Sequence, residues 1–293
     1  MVDAAMTRPA RPATELRRLV VEPRVAIAGG FLLALALIAV FAPWIAPKNP
    51  LEQDLMSASL PPAGFAEAAP GFYLGTDDLG RDVLSRLVFG ARIALTVSLI
   101  SAALAGLVGS VLGLLAGFYG GIVDRVVSRL VDIWMAFPPV LLSVLLVAVM
   151  GSGVVSVIAA IAVIDWTRFA RVVRTETQTQ AQRDYTMAAQ ALGFSRSQIL
   201  WREILPNVAP VIVALMSLEM GVAVVVEAIL SFVGLSVSSD TPTWGGMIAE
   251  GRQVVHESWW VLVFPLAALF ATVLAFNLLG AGLKRALDPV MRR

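Results

Sequence analysis

The sequence predicts an all-α membrane protein with six transmembrane helices and one large cytoplasmic loop. Three observations carry that expectation. Hydrophobic residues make up 58% of the 293 residues and charged residues only 15%, against about 45–50% and about 25% in a soluble domain. The apolar residues fall into runs of at least the roughly 20 residues that cross a ~30 Å hydrocarbon core, charge-free except for Glu219 and Glu227 in one of them. The Lys and Arg side chains are segregated between those runs rather than mixed among them. A soluble globule of this size cannot hide so much apolar surface, and a disordered chain is excluded by the same numbers.

The runs fix the elements in order. Val25–Ile45 is the first; the exit Ala42-Pro43-Trp44 offers no small-residue cleavage site, so the run reads as an uncleaved anchor with Trp44 at the interface. Ile93–Tyr119 is the second. Ile133–Ile164 carries no charge and is too long for one helix, so Gly151-Ser152-Gly153 divides it into two spans, and Pro138-Pro139 kinks the first of these. Val208–Ser239 and Ser258–Leu283 complete the six. Between the second and third spans, Val123, Val126, Val127, Leu130, Val131 and Trp134 recur at helical spacing opposite Asp124, Arg125, Ser128, Arg129 and Asp132, which is an amphipathic helix at the membrane surface or against a partner subunit.

Orientation follows from the basic residues. Seventeen of the 22 Lys and Arg fall before the first span, between the second and third, between the fourth and fifth, and after the sixth. Both termini are therefore expected in the cytoplasm, with 46–90 and 237–257 outside. Arg81, Arg86 and Arg92 lie on the unfavourable side, beside Asp77, Asp78 and Asp82 that can neutralise them. The expected organisation is a cytoplasmic tail (1–24), a first span with an external segment (25–90), and a core of five spans (91–293) with the internal loop 168–207. With no Cys and one His, His256, the chain has no disulfide, thiolate or histidine metal set.

The 168–207 loop has helix punctuation. Asp184 is read as an N-cap, after which Tyr185, Ala188, Ala189 and Leu192 form an apolar stripe around Met187. Gly193 ends that helix. Ser195 and Gln198 form a capping-box pattern for a second one, which Pro206 closes. The pattern fits either a helix lying on lipid or one that docks in a partner's groove.

Asp184-Tyr185-Thr186-Met187-Ala188-Ala189-Gln190-Ala191-Leu192-Gly193, continuing to Ile204-Leu205-Pro206-Asn207, resembles the EAA loop of binding-protein-dependent ABC importer permeases; many members have Glu in place of Met187. Leu74-Gly75-Thr76-Asp77-Asp78-Leu79-Gly80-Arg81-Asp82, Asp132 with Ala136-Phe137-Pro138, and Glu227-Ala228-Ile229-Leu230-Ser231-Phe232-Val233-Gly234-Leu235 leading to Pro242-Thr243-Trp244-Gly245 are similar to the C-subunit type of the oligopeptide, dipeptide and nickel group. The resemblance covers about 25–290. It implies the type I ABC importer permease fold, with Asp184, Tyr185, Met187, Ala188, Ala189, Leu192, Gly193, Ser195 and Pro206 in the helix and loop that dock an ATPase.

The same resemblance implies the partners: a paralogous permease subunit, two ATP-binding subunits and an extracytoplasmic solute-binding protein, in a bacterial inner membrane. The chain has no GxxxxGK[ST] phosphate loop, so ATP and Mg belong on the partner subunits, and no cofactor, metal or nucleic acid is expected on this chain. The implied cargo is a peptide, with a nickel or metal chelate as the alternative. A stand-alone secondary transporter lacks support because no internal repeat is visible. An intramembrane enzyme lacks support because no nucleophile or metal set is present.

Within the spans, Glu219 and Glu227 lie eight residues apart, within about 80° of each other around a helix. A carboxylate in hydrocarbon must face protein or water. Glu219, flanked by Met216 and Met220, is a candidate to line the path and meet a peptide's amino group, or else bonds a neighbouring helix. Glu227 is a candidate gate or subunit contact. Asp165 and Arg168 have the spacing of an intrahelical pair, and Arg168, Arg171 and Arg174 step along one face toward lipid headgroups.

Overall fold

A computed structural model describes residues 22–236 and 241–287. Most of the 1–24 tail, and Arg292 and Arg293, lie outside that range. The described residues form helices and turns, with one isolated bridge between Thr76 and Asp82. The helices are α1 (Pro23–Val40), α2 (Val83–Tyr119), α3 (Gly121–Met135), α4 (Pro139–Met150), α5 (Val154–Ala181), α6 (Asp184–Ala191), α7 (Leu205–Phe232), α8 (Trp244–Gln253) and α9 (Trp259–Leu287). Four rods are long and apolar enough to cross a membrane: α1, α2, Arg196–Phe232 and Trp259–Ala286. The bent pair α3 and α4 makes a fifth if counted as one span.

Several boundaries differ from the sequence reading. α2 begins ten residues before Ile93, because Asp82 caps it by accepting from the Ser85 N–H at 2.8 Å. Arg86 and Arg92 are thus helical residues. Pro138 and Pro139 do not kink a continuous helix; they sit at its start, where a missing N–H costs nothing, and α3 meets α4 at 85°. Pro206 closes no helix. The chain passes from the capped turn Arg196–Gln198 through a π-helical stretch, Ile199–Ile204, straight into α7. The wider π turn accommodates the missing donor of Pro206 near the start of α7.

The scaffold is the pairing of α2 with α5, which pack along most of their length. A stripe of Gly106, Gly109, Gly113 and Gly117 on α2 makes this possible. A Cβ at Gly113 would sit 2.7 Å from the Ala170 carbonyl oxygen, and one at Gly117 would sit 2.6 Å from that of Arg174. Small residues at this spacing let membrane helices approach closely, where dispersion replaces the absent hydrophobic drive. α7 packs on α2, α5 and α9, and the Ser217 hydroxyl donates to the Phe276 carbonyl at 2.8 Å. Separate apolar clusters then form at the two ends of α2. One gathers Val83, Ala91, Trp244, Met247 and Trp260; the other gathers Leu114, Val173, Ala189, Ile199 and Ile204.

Candidate functional site

The 182–204 segment folds as a short helical hairpin against the C-terminal end of α2. Arg183, not Asp184, is the N-cap of α6; Asp184 lies in the first turn and makes no capping bond. The hairpin is fastened from inside. The Tyr185 hydroxyl donates to Gln180 Oε1 and the Thr186 hydroxyl to the Gln180 carbonyl, each at 2.9 Å. Burial pushes the Tyr185 phenol above its ordinary value.

Gly193, at φ +84°, terminates α6 in the left-handed conformation. Its N–H donates to the Gln190 carbonyl and that of Phe194 to the Ala189 carbonyl, a Schellman closure. Ser195 and Gln198 form the capping box that the sequence predicts. The stripe of Tyr185, Ala188, Ala189 and Leu192 is split by the fold: Ala189 is buried and Tyr185 half-buried, but Ala188 is exposed and Leu192 is 77% exposed. Met187, Phe194 and Trp201 are exposed as well. The hairpin therefore carries apolar side chains that its own chain leaves uncovered.

The opposite end of α2 is built on charge. Asp77 is fully enclosed, and its carboxylate accepts from Arg81 Nε at 2.7 Å and from Arg86. Glu250 of α8 completes the group, 3.0 Å from Arg81 and 2.6 Å from Arg86. The sequence reading anticipated local neutralisation by Asp77 and missed Glu250, more than 160 residues away. Two indoles lock the same region, Trp244 donating to the Leu87 carbonyl and Trp260 to that of Thr76.

Within the bundle, Glu219 faces protein. It lies 3.2 Å from Arg168, so Arg168 pairs across to α7 and not with Asp165. Arg171 and Arg174 likewise meet carboxylates, Asp132 at 3.5 Å and Asp124 at 2.7 Å, instead of standing free toward lipid. Glu227 is 1% exposed and accepts from the Ser231 hydroxyl at 2.6 Å and that of Ser236 at 3.3 Å. Met216 packs beside Gly106 of α2, and Met220 packs against the Trp244 cluster.

A cavity of about 320 Å³ opens between α4, α5, α7 and α9. Its walls are mostly aliphatic, and its polar groups are Asp165, Arg168, Ser143 and Asn277. Glu219, Glu227, Met216 and Met220 do not line it. Asp165 was not among the candidate path residues. A charge in the middle of the 133–181 helical region was the available signal, and its three-residue spacing from Arg168 concealed it. His256 is exposed, and no cluster of metal-ligating side chains occurs among the described residues.

Residues 109–293 match the family described as binding-protein-dependent transport system inner membrane component, and residues 16–62 match the N-terminal TM domain of oligopeptide transport permease C. The chain is 38% identical to the di/tripeptide transport system permease protein DppC of Pseudomonas aeruginosa, over 89% of this chain and 86% of that one. It is 40% identical to the glutathione transport system permease protein GsiD of Salmonella typhimurium, over 91% of this chain and 86% of the relative. The same protein of Pectobacterium atrosepticum is 39% identical over 96% and 92%. On this extent of identity, and with spanning rods and a capped hairpin in its fold, the chain belongs to the family of binding-protein-dependent transport system inner membrane components.

Proposed function

We propose that this chain is one of two permease subunits of an ATP-driven importer for short peptides, a multi-pass protein of the bacterial inner membrane. The observation that carries the reading is the hairpin. Its helix is held rigidly from inside by Gln180, Thr186 and the Gly193 closure, yet it presents Met187, Leu192, Phe194 and Trp201 outward. A rigid helix with an uncovered apolar face suits a partner's groove. In this reading 182–204 is cytoplasmic and seats an ATPase subunit, which holds ATP and Mg and hydrolyses the nucleotide. The chain's own residues transmit the resulting push, because the π-helical join makes the second arm of the hairpin and α7 one rod, Arg196–Phe232.

Six crossings follow if α1, α2, α5, α7 and α9 each span and the bent pair of α3 and α4 makes one more, α4 alone being 12 residues long. α5 is accepted as a span despite Asp165, Arg168, Arg171 and Arg174, since three of these charges meet partners on α3 and α7. Both termini then lie inside and the 46–82 segment outside, where a solute-binding protein delivers cargo. The organisation is a 1–24 tail, a 25–90 first span with its external segment, and a 91–293 core. Six helices enclose half a path, so a paralogous permease supplies the other half. Peptide cargo is supported by the di/tripeptide and glutathione relatives.

The test is purification of the tagged chain from its own membrane, followed by reconstitution. The expected result is a complex containing a second permease and ATP-binding subunits, with ATP-dependent uptake of a dipeptide. Retention of no nucleotide-binding subunit, or ATP-dependent uptake of a nickel chelate but no dipeptide, contradicts the assignment.

A further inference from the structure

The cavity between α4, α5, α7 and α9 contains a buried acidic side chain that the reading above does not use. Asp165 is only 5% exposed, lines the cavity, and has neither an ion-pair nor a hydrogen-bond partner among the described residues. Arg168, one turn along α5, is committed to Glu219. The other polar groups leave acceptors free. The Ser143 hydroxyl spends its proton on the Val140 carbonyl at 2.8 Å, and the Asn277 amide donates to the Val273 carbonyl at 2.8 Å. Ionising a buried carboxyl without a partner is costly inside a membrane, and an intramembrane acidic group of this kind is a candidate site for a cation that would pair with it.

We infer that Asp165 receives the free amino terminus of a short apolar peptide, whose side chains lie on the aliphatic wall that Val140, Ile161 and Val225 help to form. This rests on the peptide reading above and moves the amine contact from Glu219 to Asp165. The three acceptors suit an ammonium, which has three N–H donors. About 320 Å³ is at the small end of the ~300–1,000 Å³ range of ligand pockets, which fits a dipeptide better than a long chain.

Two measurements on the intact complex test the assignment, with Leu-Leu and N-acetyl-Leu-Leu as probes. In proteoliposomes with the binding protein, Asp165→Asn is expected to cut Leu-Leu uptake about tenfold, the loss of one charge-assisted contact. Uptake of the acetylated probe should stay at its wild-type level, and Asp165→Glu should recover most Leu-Leu uptake. In the second measurement, carbodiimide labelling of Asp165 in the wild-type complex, read by mass spectrometry, should be slowed by Leu-Leu and not by the acetylated probe. This readout needs neither transport nor a folded variant. Equal protection by both probes, or by neither, overturns the inference. So does protection that follows the phosphatidylethanolamine content of the vesicles without added peptide, since the ammonium is then a lipid's. Loss of the second permease from the Asp165→Asn complex also overturns it, by assigning the carboxylate to a cation of that subunit. A wild-type complex that moves no peptide overturns the peptide reading itself, whereas peptide uptake indifferent to Asp165 overturns only this inference.

Discussion

At one end of α2, Asp77 is enclosed by Arg81 and Arg86, with Glu250 closing the group from α8; at the other, Leu192 is 77% exposed on a helix that fully buries only Thr186 and Ala189. Both regions are compact and hydrogen-bonded. They differ in where their remaining demands are met. The Asp77 end pairs most of its charges within the chain, by residues from 77 to 250, and leaves Asp82 Oδ1 and Arg86 Nε as buried atoms without a hydrogen-bond partner. The hairpin satisfies its backbone and leaves its apolar side chains for something else. Buried charge is costly to leave unpaired, so the ion pairs of the first end form within the chain before any partner arrives. Exposed apolar area costs less and can wait for one. One end of the rod is a joint of paired charges and the other an apolar surface left open.

The contrast can be broken most severely at Asp77. Asp77→Ala leaves two buried guanidiniums facing only Glu250, and removal of one partner from a buried pair costs about 3–5 kcal/mol. The expected outcome is little folded protein in fluorescence-detected gel filtration of solubilised membranes; a monodisperse peak at wild-type yield would show that the joint is dispensable. The hairpin should respond in the opposite way. Leu192→Asp is expected to leave thermal stability within about 0.5 kcal/mol, as exposed substitutions do, while ATP-binding subunits are lost on copurification. Retained subunits would count against the hairpin as their seat.

A smaller effect is expected at Gly193. A Cβ there meets no atom within 4 Å, but φ is +84°, so Gly193→Ala should cost about 1–2 kcal/mol through the left-handed backbone alone. Faster amide exchange at 189–194 is the measurement, and unchanged exchange would refute a strained closure. Gly193→Trp adds bulk on the docking side and should uncouple ATP hydrolysis from uptake at normal expression. The smallest effect concerns Asp54, which accepts from the Ser57 hydroxyl at 2.6 Å and from the Met56 N–H. These bonds hold its carboxyl below the ordinary 3.8. Its contribution is therefore full above that value and is lost as pH falls through the lower folded one. Amide exchange at 55–57 should be flat from pH 8 to about 4 once corrected for intrinsic rates, with opening only under stronger acid.

Much of the local structure was legible in the residues. The Gly193 closure, the Ser195 and Gln198 capping box, the break at Gly151–Gly153 and the neutralising role of Asp77 all depend on neighbours a few positions apart, and local chemistry decides them. The misread points share a different cause. Asp184 carries a capping side chain, yet Arg183 takes the cap because the turn after α5 is tied to Gln180. Pro206 looks like a stop, yet the chain continues through it in a π turn. The glycine stripe from Gly106 to Gly117 was readable as a repeat of small residues, but its partner helix was not.

The sequence by itself determined the membrane character, the positions of the apolar rods and the punctuation of the hairpin, because hydropathy and caps act over one helix length. Only the tertiary structure decided the pairings: Glu250 with Arg81 and Arg86, Glu219 with Arg168, Asp124 with Arg174, and Asp165 with nothing among the described residues. These contacts join residues 50 to about 170 positions apart. Which carboxylate meets which cation depends on how the helices are rotated and how closely glycine lets them approach, and no spacing along one strand of sequence encodes that.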